Sequence, residues 1–208
     1  MTVEDCGQLT GDEAQDIGKS NKEADSTGDN YEDFPEDQGE EYKGPQILEI
    51  ATKLKEYGNK AFKSGDLNLA LDKYQKGLRY LNEYPEALPD DPKELPAELT
   101  KIRFTLHSNS SLLQIKLNSF ADAKSSADNA LDLDEKQVVS KQDRAKALYR
   151  RALALLGLKD DEEAVKTLEK AQELAPGDAA ITSTLHDAKK KAAEQAKKEK
   201  AAYSKFFS

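Results

Sequence analysis

Five residues of this chain combine charge and amide chemistry at helical spacing: Lys55 and Asn59, then Asn109, then Lys146 and Arg150. Lys55 and Asn59 stand four apart, as do Lys146 and Arg150, so each pair shares one helix face. Like charges at that spacing destabilise an isolated helix by roughly 0.2–0.5 kcal/mol, so Lys146 and Arg150 are not there for helix stability. A bound anion reverses the sign. Arg offers a planar fork for a carboxylate, Lys a compact charge, and Asn a donor for a carboxylate or for peptide backbone. Gathered on one surface, the five make a receptor for a peptide that ends in carboxylates. Taken singly, each is also an ordinary residue of a charged surface, and Asp143 stands three residues from Lys146 as a ready partner.

The elements that must position them are helices. From Ile47 onward apolar residues recur at three and four. Self-comparison then exposes a 34-residue unit with small, aromatic and small residues at fixed places. With Gly58 at position 8, Ala70, Tyr74 and Gly77 fall at 20, 24 and 27; Ala123, Ala127 and Ala130 take 20, 24 and 27 of a second unit. A third unit has Ala152 at 8, Ala164 at 20, Leu168 at 24, Ala171 at 27 and Pro176 at 32. Small residues let the two helices of a unit approach closely, and each unit buries its apolar face only against a neighbour. The predicted fold is all-α: a tetratricopeptide-repeat superhelix of three helix pairs, about 51–84, 104–137 and 145–178 within a domain over 46–178, plus a C-terminal capping helix over 179–208. In such a stack the first helices line one concave side, and all five residues fall on first helices.

The spacing between units is not strict. Ala70 to Ala123 is 53 residues and Ala123 to Ala164 is 41, so extra residues sit between units. The first insertion, NEYPEALPDDPKELPAELT, predicts an irregular excursion or helix extension after Leu81, and the second, near KQVVSKQD, a lengthened helix start. Asp160 followed by Glu163 reads as a capping box, and Asp178 as the cap of the seventh helix, whose Ile181, Leu185, Ala188 and Ala192 should cover the last repeat. Beyond Ala192 that helix is too charged to be buried.

Charge is unevenly placed. Residues 1–45 hold 14 Asp or Glu against 3 Lys, a net −11, so the body stands at +2 within the chain's −9. Residues 9–45 therefore read as an acidic disordered linker. The acidic balance argues against nucleic acid as a partner, since counterion release needs clustered Lys and Arg. Cys6 is the single cysteine, which excludes an internal disulfide and thiolate metal sites and suits a reducing, cytoplasmic setting. No apolar run follows Met1, so neither a signal peptide nor a membrane span is expected. His107 and His186 lie far apart in the repeat order, and phosphate loops, metal-ligand spacings and nucleophile elbows are missing, so the chain reads as non-enzymatic, with no cofactor and no metal.

Lys55, Asn59, Asn109, Lys146 and Arg150 together resemble the dicarboxylate clamp of tetratricopeptide co-chaperones, which hold the C-terminal Glu-Glu-Val-Asp tail of cytosolic ninety- and seventy-kilodalton heat-shock chaperones. The resemblance implies that Asn59 and Asn109, with Lys55 and Arg150, surround the terminal Asp, while Lys146 and Arg150 serve acids further upstream. It also implies that Lys116 assists and that Phe62 and Leu112 shape an apolar side pocket. Many clamp domains have Asn-Arg after the middle helix's aromatic, whereas this chain reads His107-Ser108-Asn109-Ser110. Residues 1–8, with TVEDCGQL, resemble the last strand of a cyclophilin domain. That opening, the acidic linker, the proline-bearing insertion and the ending KKEKAAYSKFF resemble the C-terminal half of a large cyclophilin of the forty-kilodalton class without its isomerase domain. The ending is similar to the charged-tyrosine motif of chaperone-binding immunophilins, which implies that Tyr203 and Phe206 tune how the last helix docks. A basic helix with aromatics also suits calmodulin as a further partner. The alternatives to chaperone-tail binding are the prolyl isomerase activity of the parent family and a general protein scaffold.

Overall fold

The computed structural model describes residues 24–38, 42–84, 86, 88–133 and 138–206. Among them are seven α-helices and no strand. They are α1 (Gly44–Lys63), α2 (Leu67–Asn82), α3 (Leu95–Lys116), α4 (Phe120–Asp132), α5 (Lys141–Gly157), α6 (Asp161–Leu174) and α7 (Ala179–Phe206), preceded by a 3-10 turn at Pro35–Gln38. Helices pack as consecutive antiparallel-type pairs, α1 on α2, α3 on α4 and α5 on α6; α1 also meets α3, α3 meets α5, and α7 closes the stack on α6. The result is the all-α tetratricopeptide superhelix that the repeat implied.

Each pair closes where the sequence is small. Ala70, Ala123 and Ala164 are fully buried, as are Ala127, Ala130, Leu168 and Ala171. At Gly58 a Cβ would lie 2.6 Å from Cδ1 of Tyr74, so only glycine lets that ring lie flat across α1. The larger core cluster joins Ile47, Leu54, Tyr74, Leu81, Leu99 and Leu106 across α1–α3, and a second joins Ala152, Leu168, Ile181 and Leu185 across α5–α7. Full burial of one such large side chain contributes about 1.5–3 kcal/mol, so a repeat without its neighbour forfeits most of its stability.

The helix ends follow local chemistry. Asp66 Oδ1 accepts from Leu69 N at 3.0 Å to start α2, Ser140 Oγ accepts from Asp143 N at 3.1 Å to start α5, and Asp178 Oδ1 accepts from Ala180 N at 2.9 Å to start α7. The capping box at Asp160 is only half made. Asp160 Oδ1 accepts from Glu163 N at 3.2 Å, but the Glu163 carboxylate is drawn to Arg151 Nη1 at 3.1 Å.

Of the two alternatives for the first insertion, the irregular one holds for its described residues: α2 stops at Asn82, and the insertion then adds nine residues to the front of α3, because Leu95, Leu99 and Ile102 have core to bury against. One expectation changes. The acidic linker is not all linker. Residues 25–34 lie on α2, with Asp29 fully buried, because buried Lys73 and Lys76 of that helix need carboxylates. Residues 1–8 and the rest of the expected linker up to residue 23 lie outside the described residues.

Candidate peptide-binding groove

Three first helices, α1, α3 and α5, bring the predicted polar residues to one side of the stack. A cavity of about 490 Å³ between α3 and α5 is lined by Asn109, Lys146 and Arg150 together with Lys101, Phe104 and Ser108. A shallower one of about 280 Å³ between α1 and α3 holds Lys55 with Leu48, Thr52, Glu98 and Ile102. Lys101 and Thr105 line both, so the two are one continuous groove. Its charged lining is Lys55, Lys101, Lys146 and Arg150 against Glu98 and Asp143, an excess of cations inside an acidic protein.

Tyr74 links the repeats at the groove floor. Its ring is buried, and its hydroxyl donates to Asn59 Oδ1 at 2.7 Å. Burial pushes the Tyr74 hydroxyl above its ordinary pKa, while the Arg150 charge and a hydrogen bond from Asn109 pull it back, so amides from two repeats meet at one oxygen that also feels the guanidinium charge. Asn109 Oδ1 lies 3.4 Å from Arg150 Nη1. Asn59 from α1, Asn109 from α3 and Arg150 from α5 are therefore brought together. With its oxygen turned to Tyr74, Asn59 keeps its NH2 donors for other partners.

Arg150 is underpartnered for a guanidinium in a partly buried place. It donates to Ser108 Oγ at 2.6 Å and to Asn109, both neutral, and among the described residues no carboxylate lies within ion-pair distance. Burial lowers its pKa, opposed by Tyr74 and by the more distant Asp143. Its neighbour Arg151 is the opposite case, bound to Asp128 at 2.6 Å and Glu163 at 3.1 Å. A buried cation lacking its anion costs free energy that an incoming carboxylate can return.

The remaining candidates are less tightly fixed. Lys146 does pair with Asp143, at 3.0 Å, but both side chains are more than half exposed, so the pair is worth at most about 1 kcal/mol and can be exchanged for a ligand. The Ser140 hydroxyl, then Lys146, holds the Asp143 carboxyl below its usual range. Lys55 reaches the groove wall with no ion pair among the described residues. Lys116 Nζ stands 5.9 Å from the centre of the Phe62 ring, which is 36% exposed, and half-buried Leu112 lies one turn before Lys116 on α3. Those three share the stretch just beyond Asn59 and Asn109.

Sequence reasoning missed Tyr74, Ser108 and Lys101. Tyr74 reads as a packing aromatic of the repeat; only its hydroxyl, aimed past Gly58, shows the second use. Ser108 supplies the acceptor that orients Arg150 where many clamp domains use another pattern, while the hydroxyl of the following Ser110 is buried without a partner. Lys101 sits on the front extension of α3, outside the 34-residue unit. His107 is half-buried beside Arg103, and burial first, then that charge, lowers its pKa to about 4. It stays neutral at physiological pH and fits packing. Cys6 and residues 207–208 lie outside the described residues, as do the side chains of Tyr203 and Phe206. Among the described residues no group of three metal-capable side chains occurs, and no helix is long and apolar enough to cross a membrane.

This architecture is that of a tetratricopeptide-repeat superhelix, and the family profile for the tetratricopeptide repeat matches residues 145–178. The whole chain is 39% identical, over 216 residues, to a peptidyl-prolyl cis-trans isomerase D from Cryptococcus neoformans var. neoformans serotype D, and spans 57% of that relative's length. Such a match is consistent with the tetratricopeptide-repeat portion of a large cyclophilin. Among solved structures, the C-terminal TPR-containing domain of a Plasmodium falciparum protein named for FK506 binding superposes with a TM-score of 0.65 at 26% identity, covering 75% of this chain and 97% of that one. The first TPR of Spaghetti (RPAP3), bound to the HSP90 peptide SRMEEVD, matches with a TM-score of 0.54 at 29% identity over 70% of this chain and 95% of that one.

Proposed function

We propose that this domain is a co-chaperone interaction module that binds the C-terminal Glu-Glu-Val-Asp peptide of cytoplasmic heat-shock chaperones, the ninety-kilodalton class by preference. The observation that carries the reading is Arg150: a partly buried guanidinium with neutral partners, at a junction where Asn59 and Asn109 are held by one tyrosine hydroxyl. Lys55, Asn59, Asn109 and Arg150 receive the terminal Asp, Lys146 exchanges Asp143 for an upstream acid, and Phe62, Leu112 and Lys116 flank the valine side. Likeness to a repeat domain bound to the HSP90 peptide SRMEEVD supports the class of ligand.

The chain itself does no chemistry in this reading; in a longer isomerase of the type it resembles, it would bring that activity to chaperone-held substrates. Titration calorimetry with Met-Glu-Glu-Val-Asp tests the binding. Saturable one-to-one binding that Lys146→Ala and Arg150→Ala each weaken is expected. Binding indifferent to both changes would point instead to a scaffold that uses another surface. A proline-isomerisation assay on the chain should read no rate above background.

A further inference from the structure

The second helix of the first repeat carries an anomaly that the groove does not use. Lys73 and Lys76 of α2 are both almost fully buried, at 3% and 0% exposure, a place Lys almost never takes unless it is paired. Both reach the same oxygen of Asp29, itself fully buried, at 2.6 and 2.8 Å. Lys73 also meets Asp25 at 2.6 Å, and Lys76 meets Asp33 at 3.4 Å and the Tyr31 carbonyl at 2.5 Å. Around this triad Lys60 donates to the Thr27 carbonyl at 3.0 Å, Arg79 to the Asp33 carbonyl at 2.9 Å, and the Tyr80 hydroxyl to the Glu32 carbonyl at 2.9 Å. Tyr31 and Tyr42 pack on the Tyr80 ring, and Arg79 stands 5.2 Å over Phe34.

The bound segment is shaped for this. Asp25 Oδ1 accepts from the Thr27 amide at 2.8 Å, Gly28 takes a φ of +96° that L side chains rarely adopt, and Asp29 Oδ1 accepts from the Tyr31 amide at 3.0 Å. Those turns place Asp25, Asp29 and Asp33 on the two lysines. The side chains that hold the segment, Lys60, Lys73, Lys76, Arg79 and Tyr80, line neither groove cavity, and Tyr74, the α2 residue at the groove floor, is not among them, so this contact is separate from the groove.

We propose that residues 25–34 are a built-in acidic ligand of α2, one that fastens the chain's N-terminal stretch to the first repeat on the side away from the groove. The partner chemistry is the same as in the groove, carboxylates on cations, but here the occupant is covalently attached and desolvated. A module joined upstream of residue 25 would be held on that side and the groove would stay open. Because the triad is dry, the attachment should resist salt, unlike an acidic tail lying on a basic surface.

Hydrogen exchange on the full chain tests it. The amides of Thr27, Asp29 and Tyr31 should exchange at least roughly tenfold more slowly than in a synthetic peptide of residues 24–38, and should do so equally in low salt and in 1 M NaCl. Asp29→Asn should abolish that slowing across 25–34, while α5–α7 stay protected and pentapeptide affinity stays within about twofold. Free-peptide rates in the unaltered chain, loss of protection in salt, or protection that survives Asp29→Asn would each overturn the proposal. If Asp29→Asn does not fold, the unaltered chain and its salt response still decide. Peptide affinity is read separately, so failure here and failure of the groove reading cannot be confused.

Discussion

Arg150 and Arg151 are adjacent in sequence and should behave as opposites. Among the described residues Arg150 has only Ser108 and Asn109 as hydrogen-bond acceptors, whereas Arg151 carries ion pairs to Asp128 and Glu163 and donates to Thr167 at 2.5 Å. Arg150→Met removes a charge-assisted contact to the ligand worth about 1.5–3 kcal/mol, which is about 12- to 150-fold in affinity. It also removes an uncompensated, partly buried charge, so the melting temperature should hold or rise. Arg151→Met should leave affinity within about twofold. Its pairs are partly solvated, with 19% exposure at Arg151 and 30% and 38% at the partners, so the loss is about 1–3 kcal/mol, or about 3–10 °C. Calorimetric titration with Met-Glu-Glu-Val-Asp and thermal unfolding by circular dichroism read the two axes. If Arg150→Met lowered the melting temperature as much as Arg151→Met and left affinity unchanged, the reasoning from unpaired charge would be refuted.

Gly58→Ala forces the Tyr74 ring off α1; unfolding in urea should show a loss of about 1–3 kcal/mol, and pentapeptide binding should weaken because Asn59 loses its anchor. Lys101→Glu reverses one of four groove cations, so affinity should fall several-fold in low salt and much less at 1 M, checked by titration at two ionic strengths. Acid should loosen residues 25–34, the strap on α2. Asp25 and Asp29 face Lys73 and Lys76, with Asp33 and Lys60 nearby; burial alone would raise their pKa values, but the lysine hydrogen bonds win and hold both below 3.8. Their contribution is therefore full above pH 3.8 and is lost as pH falls through the lower folded values, so protection of residues 25–34 relative to the free peptide at the same pH should hold at pH 5 and decline progressively below pH 3.8.

Much of the fold could be read from small residues at repeat positions, because close helix approach admits little else: Ala70, Ala123 and Ala164 are all fully buried. That Asn59, Asn109 and Arg150 come from three first helices could be read from the register, since first-helix positions project to one side. What escaped were second uses of residues already explained. Tyr74 fills a packing position and also orients Asn59, and periodicity cannot show where a hydroxyl points. Lys101 lay outside the register because the insertion lengthened the following helix instead of the preceding one. The strap was hidden by composition: an acidic, glycine-bearing stretch cannot build a core of its own, yet it can be ordered by two buried lysines some forty residues later. Lys73 and Lys76, flanking the core positions of Tyr74 and Gly77, were the signal.

In the proposed groove, fixed cations and amides from three helices hold a free C-terminal carboxylate. The decisive comparison is titration of the chain with Met-Glu-Glu-Val-Asp and with the same peptide ending in a C-terminal amide. The acid should bind one-to-one and the amide at least roughly tenfold more weakly, the value of one charge-assisted contact. Equal affinity for the two peptides, or no binding of either, would rule the groove out as a carboxylate receptor.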